Sequence, residues 1–138
     1  MPKKTAARKK LSRQEQRNLD IEIGFLEGLV KRDPEFVDAL LILGDDYTRR
    51  GRWSDGLKID EQLIRLRPED PLAHYNFACS CSLTERYDLA AAALDQAINL
   101  GYRDFHWLTR DPDLRNLRKH PLFRPIQAKV KKLLANAR

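Results

Sequence analysis

The chain has 138 residues, enough for one domain with a real core and short for two. With 42% apolar and 33% charged residues it is expected to fold rather than stay disordered. Its longest apolar-looking stretch, Ile21 to Val30, carries Glu22 and Glu27, falls far short of the roughly 20 residues of a membrane span and lacks signal-peptide flanks, so a cytoplasmic address and no membrane partner are expected. The net charge of +6 is uneven. Residues 1–17 carry seven Lys/Arg against Glu15, residues 18–109 carry ten against seventeen Asp/Glu, and residues 110–138 carry nine against Asp111 and Asp113. An acidic body lies between two basic ends.

In chain order, residues 1–11 are polar and unpatterned and read as a disordered basic tail. A helix is expected over 12–32, with Leu19, Ile23, Leu26, Leu29 and Val30 on one stripe. Three Asp-Pro pairs, Asp33-Pro34, Asp70-Pro71 and Asp111-Pro112, each mark a new helix, because Asp accepts the free amides of a helix start and Pro suits the first helical position. Helices follow over 35–50, 53–66, 71–83 and 87–100, with a short piece near 104–109, and then over 112–119 and 122–136. Gly51 is expected as a left-handed cap, with Ser54 or Asp55 starting the next helix. The last helix carries Phe123, Ile126, Val130, Leu133 and Leu134, so both ends of the stack should be closed by capping helices. Cys79 and Cys81, two apart on a helix, diverge by about 200° and read as buried thiols rather than as a disulfide or a metal pair.

Sliding the chain against itself by 34 residues locks a repeat. Ala39 falls on Ala73, Leu43 on Phe77, Gly44 on Ala78, Trp53 on Tyr87, Gly56 on Ala90, Ile64 on Ile98 and Leu66 on Leu100. The small residues Gly44, Ala78, Gly56 and Ala90 let helices approach closely, while Leu43, Tyr47, Leu57, Leu63 and Ile64 fill around them.

On these residues the chain resembles the tetratricopeptide-repeat (TPR) family: Leu40, Leu43, Gly44, Tyr47, Gly56 and Pro68 stand at its signature spacing. His74, Phe77, Ala78, Cys81, Ala90, Leu94 and Ala97 occupy the corresponding places of a second copy. The departures are Leu40 for Trp, Gly56 for Ala, Tyr102 for Pro, and Asp60 for an aromatic, which should weaken the outer packing. The resemblance implies an all-α, right-handed solenoid of antiparallel helix pairs with about seven helices. It also implies one domain over 12–136, with full repeats at about 37–70 and 71–104, an N-terminal capping helix at 12–32 and a degenerate C-terminal unit at 105–136. The stretch Gly101 to Phe123 looks like the last unit of many bacterial TPR proteins.

Nothing in the chain forms a catalytic constellation. His74, His106 and His120 lack metal-ligand spacing, and His74 reads as a packing residue. The adjacent Asp45 and Asp46 diverge by about 100° and read as solvated, and no phosphate-binding or nucleophile motif occurs. No enzyme activity, metal or cofactor is expected. The resemblance instead implies a concave groove lined by Asp38, Leu41, Asp45, Thr48 and Arg49, then Leu72, Tyr75, Asn76, Cys79 and Ser82, with His106 and Thr109 extending the row. Tyr75 is the expected apolar anchor, and Asp45 should favour a basic or amide-bearing segment. Some TPR modules clamp a C-terminal carboxylate. Asn76 and Arg110 match that clamp, but Leu41 and Asp45 replace its Lys and Asn, so such capture is not expected.

The function expected is a non-catalytic scaffold that binds a segment of another protein or a second copy of itself. The alternative is a nucleic-acid or ribosome-associated factor acting through Lys3, Lys4, Arg8, Lys9, Lys10, Arg13, Arg17, Lys129, Lys131 and Lys132. Those arms lack the interleaved aromatics that stack bases.

Overall fold

The computed structural model describes residues 10–137. The tail expected over 1–11 therefore lies outside the described residues except for Lys10 and Leu11, and Leu11 is half-buried against the N-terminal core. Among the described residues there are eight α-helices and no strand. Each of the first five helices packs antiparallel against the next, and the elements that follow pack on the fourth and fifth.

Helix α1 (Arg13–Arg32) starts in a capping box: Ser12 Oγ accepts from the Glu15 amide at 3.1 Å and Glu15 Oε1 accepts from the Ser12 amide at 3.0 Å. Two amides without intrahelical partners are thereby satisfied. Its stripe Leu19, Ile23 and Leu26 is buried with Ala39, Leu43 and Tyr47 of α2 (Val37–Arg50). Asp33-Pro34 does not start α2 as expected. Asp33 closes α1 through its amide bond to Leu29 O and accepts from the Glu35 amide at 3.4 Å. This local turn competes with helix initiation, and α2 begins only at Val37.

Gly51 ends α2 with φ +83°, and the Arg52 amide returns to Tyr47 O at 2.8 Å. That left-handed conformation costs glycine nothing. Helix α3 (Trp53–Leu66) follows at once, so Ser54 and Asp55 fall inside its first turn, where Asp55 pairs with Arg52 at 2.9 Å. Asp70 caps α4 (Pro71–Leu83) as expected, accepting from the Leu72 amide at 2.9 Å. Thirty-four residues after Gly51, Glu85 takes φ +62°, and the Arg86 amide bonds Cys81 O at 2.8 Å ahead of α5 (Tyr87–Asn99). The period seen in the side chains recurs in the backbone hydrogen bonds.

Helices α2 and α3 cross at Gly44, where a Cβ would lie 3.2 Å from Ile59 Cγ2 and 3.4 Å from Asp60 Oδ1. Asp60 does not leave weak outer packing. It is 3% exposed and accepts a hydrogen bond from Ser80 Oγ, so the hydroxyl of α4 supplies what an aromatic ring would have supplied by contact.

The C-terminal unit comprises α6 (Phe105–Leu108), a 3₁₀ turn at Pro112–Leu114, α7 (Arg115–Arg118), a second 3₁₀ turn at Pro121–Phe123 and α8 (Arg124–Asn136). Each 3₁₀ turn is capped by a side chain: Asp111 accepts from the Asp113 amide at 2.9 Å, and His120 Nδ1 from the Leu122 amide at 3.1 Å. Phe105, Leu108, Leu114, Leu117, Phe123, Ile126 and Val130 merge with Tyr75, Ala78, Leu94 and Ile98 in one core. Both cysteines are buried in it, and burial pushes the Cys81 thiol up to about 12.

The ends are less closed than the stripes imply. Ile21 and Phe25 on the outer side of α1 are 71% and 64% exposed, and Leu134 on α8 is 53% exposed. A single helix covers its neighbour with one stripe and leaves its other face to solvent. No helix of the described residues is long and apolar enough to cross a membrane.

Candidate partner-binding groove

Positions 38, 41, 45 and 49 recur at intervals of three and four, so they share one face of α2. Asp38 and Arg49 are exposed there, and Leu41 and Asp45 are half-buried. Leu72 and Asn76 are half-buried on α4, and His106 is exposed on α6, with Thr109 and Arg110 exposed just beyond it. These residues keep surface that a partner can touch.

Tyr75 and Cys79 do not. They are 3% and 0% exposed, which removes the expected anchor from the groove. Thr48 and Ser82 are buried as well, and Thr48 Oγ1 donates to Gly44 O at 3.0 Å. The reason is the C-terminal unit, whose first 3₁₀ turn packs directly on α4. Tyr75 Oη donates to Asp111 Oδ2 at 2.7 Å, Cys79 Sγ lies 3.5 Å from the same oxygen, and the Tyr102 ring sits 4.3 Å from that of Tyr75. Arg118 Nη1 bridges the carbonyls of Leu108 and Asp111 at 3.0 and 2.8 Å. Burial, reinforced by Cys79 and Asp111, holds the Tyr75 hydroxyl far above the ordinary phenol range. It therefore stays a donor, as this bond requires.

Sequence reasoning saw Asp111 only as a helix cap. Cys79, Asp111 and Asp113 offer ligand atoms within 4.8 Å of one another, a donor set of the kind that binds a cation. Asp111, however, already accepts from Tyr75, Cys79 and the Asp113 amide. Its chemistry is that of a buried polar tie between α4 and the C-terminal unit.

Asp46 is also misread by spacing alone. It is 2% exposed rather than solvated. Burial, a bond to Glu22 and the charges of Glu22 and Asp45 raise its carboxyl to about 8 against a weaker opposing effect of Arg49, whose Nη1 lies 3.9 Å away. Of the histidines, His74 donates from Nε2 to Pro68 O at 2.7 Å, since a carbonyl can only accept, and His120 stacks on Tyr87 at 4.8 Å. Among the basic residues, Lys129 is taken up by Asp95 at 2.7 Å and by Asn99. Arg13, Arg17, Lys131 and Lys132 are not enclosed by the core, and Lys3, Lys4, Arg8 and Lys9 lie outside the described residues.

Where the C-terminal ends of α2 and α4 meet the first 3₁₀ turn and α7, the surface opens into a groove of about 770 Å³. Arg49, Arg50, Arg110 and Arg115 line it with Lys10, Trp53 and Leu83. Leu83 stands 34 residues after Arg49, so the groove runs along corresponding edges of α2 and α4.

No family model matches the chain. It is 33% identical over 86 residues, 60% of its length, to a chloroplastic protein of Arabidopsis thaliana. It is 36% identical over 91 residues, 64% of its length, to the peroxisomal targeting signal receptors of Komagataella phaffii and Komagataella pastoris. These distant similarities are consistent with the TPR resemblance. The chain spans 26% of the Arabidopsis protein and 16% of each receptor.

Proposed function

We propose that this chain is a non-catalytic, TPR-type protein-interaction scaffold, with full repeats at 37–70 and 71–104 flanked by the helix over 12–32 and the degenerate unit over 105–136. It holds a segment of another protein, or of a second copy of itself, along the face formed by Asp38, Leu41, Asp45, Arg49, Leu72, Asn76 and His106. The observation that carries this reading is the pairing of corresponding helices at a 34-residue interval, which leaves one face of α2 and α4 with half-buried apolar and amide groups. Such groups, framed by charge, are typical of contact surfaces. Similarity to proteins named as receptors of a targeting signal supports the same class of function.

The test is capture by the immobilised chain, with and without nuclease and at two salt concentrations. Leu41→Arg and Leu72→Arg should each abolish capture of a protein partner while the helical circular-dichroism signal is unchanged. Capture that survives both substitutions, or that nuclease removes, overturns the reading.

A further inference from the structure

The groove at the ends of α2 and α4 carries a charge opposite to that of the helical body around it. Residues 18–109 hold ten Lys/Arg against seventeen Asp/Glu, yet the groove is lined by Lys10, Arg49, Arg50, Arg110 and Arg115 against a single carboxylate, Asp113, which is 3% exposed. We infer that this groove takes an acidic peptide segment, whose Asp and Glu side chains lie against Arg49, Arg110 and Arg115 and whose apolar side chain lies on Trp53. The inference rests on the scaffold reading and names the class of segment taken at the basic edge, which shares Arg49 with the face that carries Asp38 and Asp45.

The cations differ in how far they are already used. Arg50 is committed to Asp20, with Nε 2.8 Å from Oδ1. Arg110 and Arg115 are exposed and enter no ion pair among the described residues. Arg49 lies 3.9 Å from Asp46 and also borders a smaller hollow with Glu15 and Glu22, so its charge is partly met. Arg110 and Arg115 thus face the cavity without an ion-pair partner among the described residues, and Arg49 adds a third guanidinium at its edge. Guanidinium forks bind carboxylates in pairs of parallel hydrogen bonds.

Trp53 is 44% exposed at the edge of the cavity and offers a flat apolar surface of the kind that anchors peptide side chains. The volume of about 770 Å³ lies within the ~300–1,000 Å³ of sites that enclose a ligand of several groups. Among the described residues, Trp53 is the one aromatic in this lining. Single-stranded nucleic acid is held by successive stacking platforms together with charge, so the composition favours carboxylates on a peptide over phosphates on a base-bearing chain.

Fluorescence anisotropy tests the inference with four labelled probes: a short peptide of Asp, Glu and Leu, the same peptide with every acid replaced by its amide, the same with every acid replaced by Lys, and a short oligothymidine. The acidic peptide should bind most tightly, and more weakly as salt rises. The double substitution Arg110→Glu, Arg115→Glu should weaken it about tenfold or more. Trp53→Ala should weaken it about threefold or more. All three side chains are exposed, so the melting temperature of these variants should match that of the parent. Equal binding of the acidic and amide peptides, or tighter binding of oligothymidine, overturns the inference, as does acidic-peptide binding that survives the double charge reversal. If the amide or Lys peptide binds and Leu41→Arg abolishes it, the scaffold reading stands and the acidic assignment falls. If no peptide binds, the acidic assignment falls, and capture of a protein partner by the immobilised chain decides the scaffold reading.

Discussion

Replacing Asp111 by Ala should loosen the C-terminal segment from α4. The carboxylate is fully buried and accepts from the Tyr75 hydroxyl at 2.7 Å and the Asp113 amide at 2.9 Å. Each donor left buried without its acceptor costs about 1–3 kcal/mol. Part of this is offset because the mutant no longer desolvates a carboxylate. The expected loss is about 2–4 kcal/mol, a large fraction of the ~5–15 kcal/mol that holds a domain together. For a chain of this size it corresponds to a drop in melting temperature of roughly 7–14 °C. Tyr75→Phe removes the hydroxyl and its need for an acceptor together, but takes a donor from a buried carboxylate, and should cost about 1.5–3 kcal/mol. Thermal melting followed by circular dichroism, run on both single variants and the double, reads the coupling directly. The double variant should be more stable than the sum of the single losses predicts, because the stranded hydroxyl is gone. An Asp111→Ala variant that melts within about 2 °C of the parent, or single losses that simply add, would refute the tie.

Gly44→Leu should destabilise the protein by about 1–3 kcal/mol through overpacking at the α2–α3 crossing, where a Cβ alone already approaches Ile59 to 3.2 Å; an unchanged melting curve counts against that crossing. Glu85→Gly should raise the melting temperature, since it relieves a left-handed residue at φ +62° that costs a non-glycine about 1 kcal/mol, less what glycine gains in the unfolded chain. No increase would mean that Glu85 makes a compensating contact. Asp46→Asn tests the buried carboxyl by pH. Its folded value near 8 lies above the ordinary 3.8, so the folded state keeps a proton that the unfolded chain releases, and stability falls as pH rises from about 4 to about 8. Asn has no such proton to lose. The variant should therefore gain on the parent across that window by at most ~1.4 kcal/mol per pH unit, and melting curves that stay parallel from pH 5 to 8 sink the assignment.

Much of the architecture was legible in the residues because it is set by local and periodic chemistry. The small residues at Gly44 and Gly56, the left-handed cap at Gly51 and the Asp70-Pro71 start each act within one or two turns of helix, the 34-residue interval repeats such local signals, and each is found where the pattern indicates. Asp33-Pro34 misled because the same Asp side chain can cap a helix or close a turn, and only packing chooses between them. What tertiary structure alone decided is which faces stay exposed. Spacing puts Tyr75 on the face of α4 that matches Leu41 of α2, but not the return of the chain near Asp111 to cover it. Asp46 likewise reads as solvated by its angle from Asp45, and it is the docking of α1 with Glu22 that buries it. The basic groove joins Lys10, Arg49, Arg110 and Arg115 from distant parts of the chain. Local periodicity orients a side chain about its own helix, whereas burial and charge depend on the neighbours that the fold brings to it.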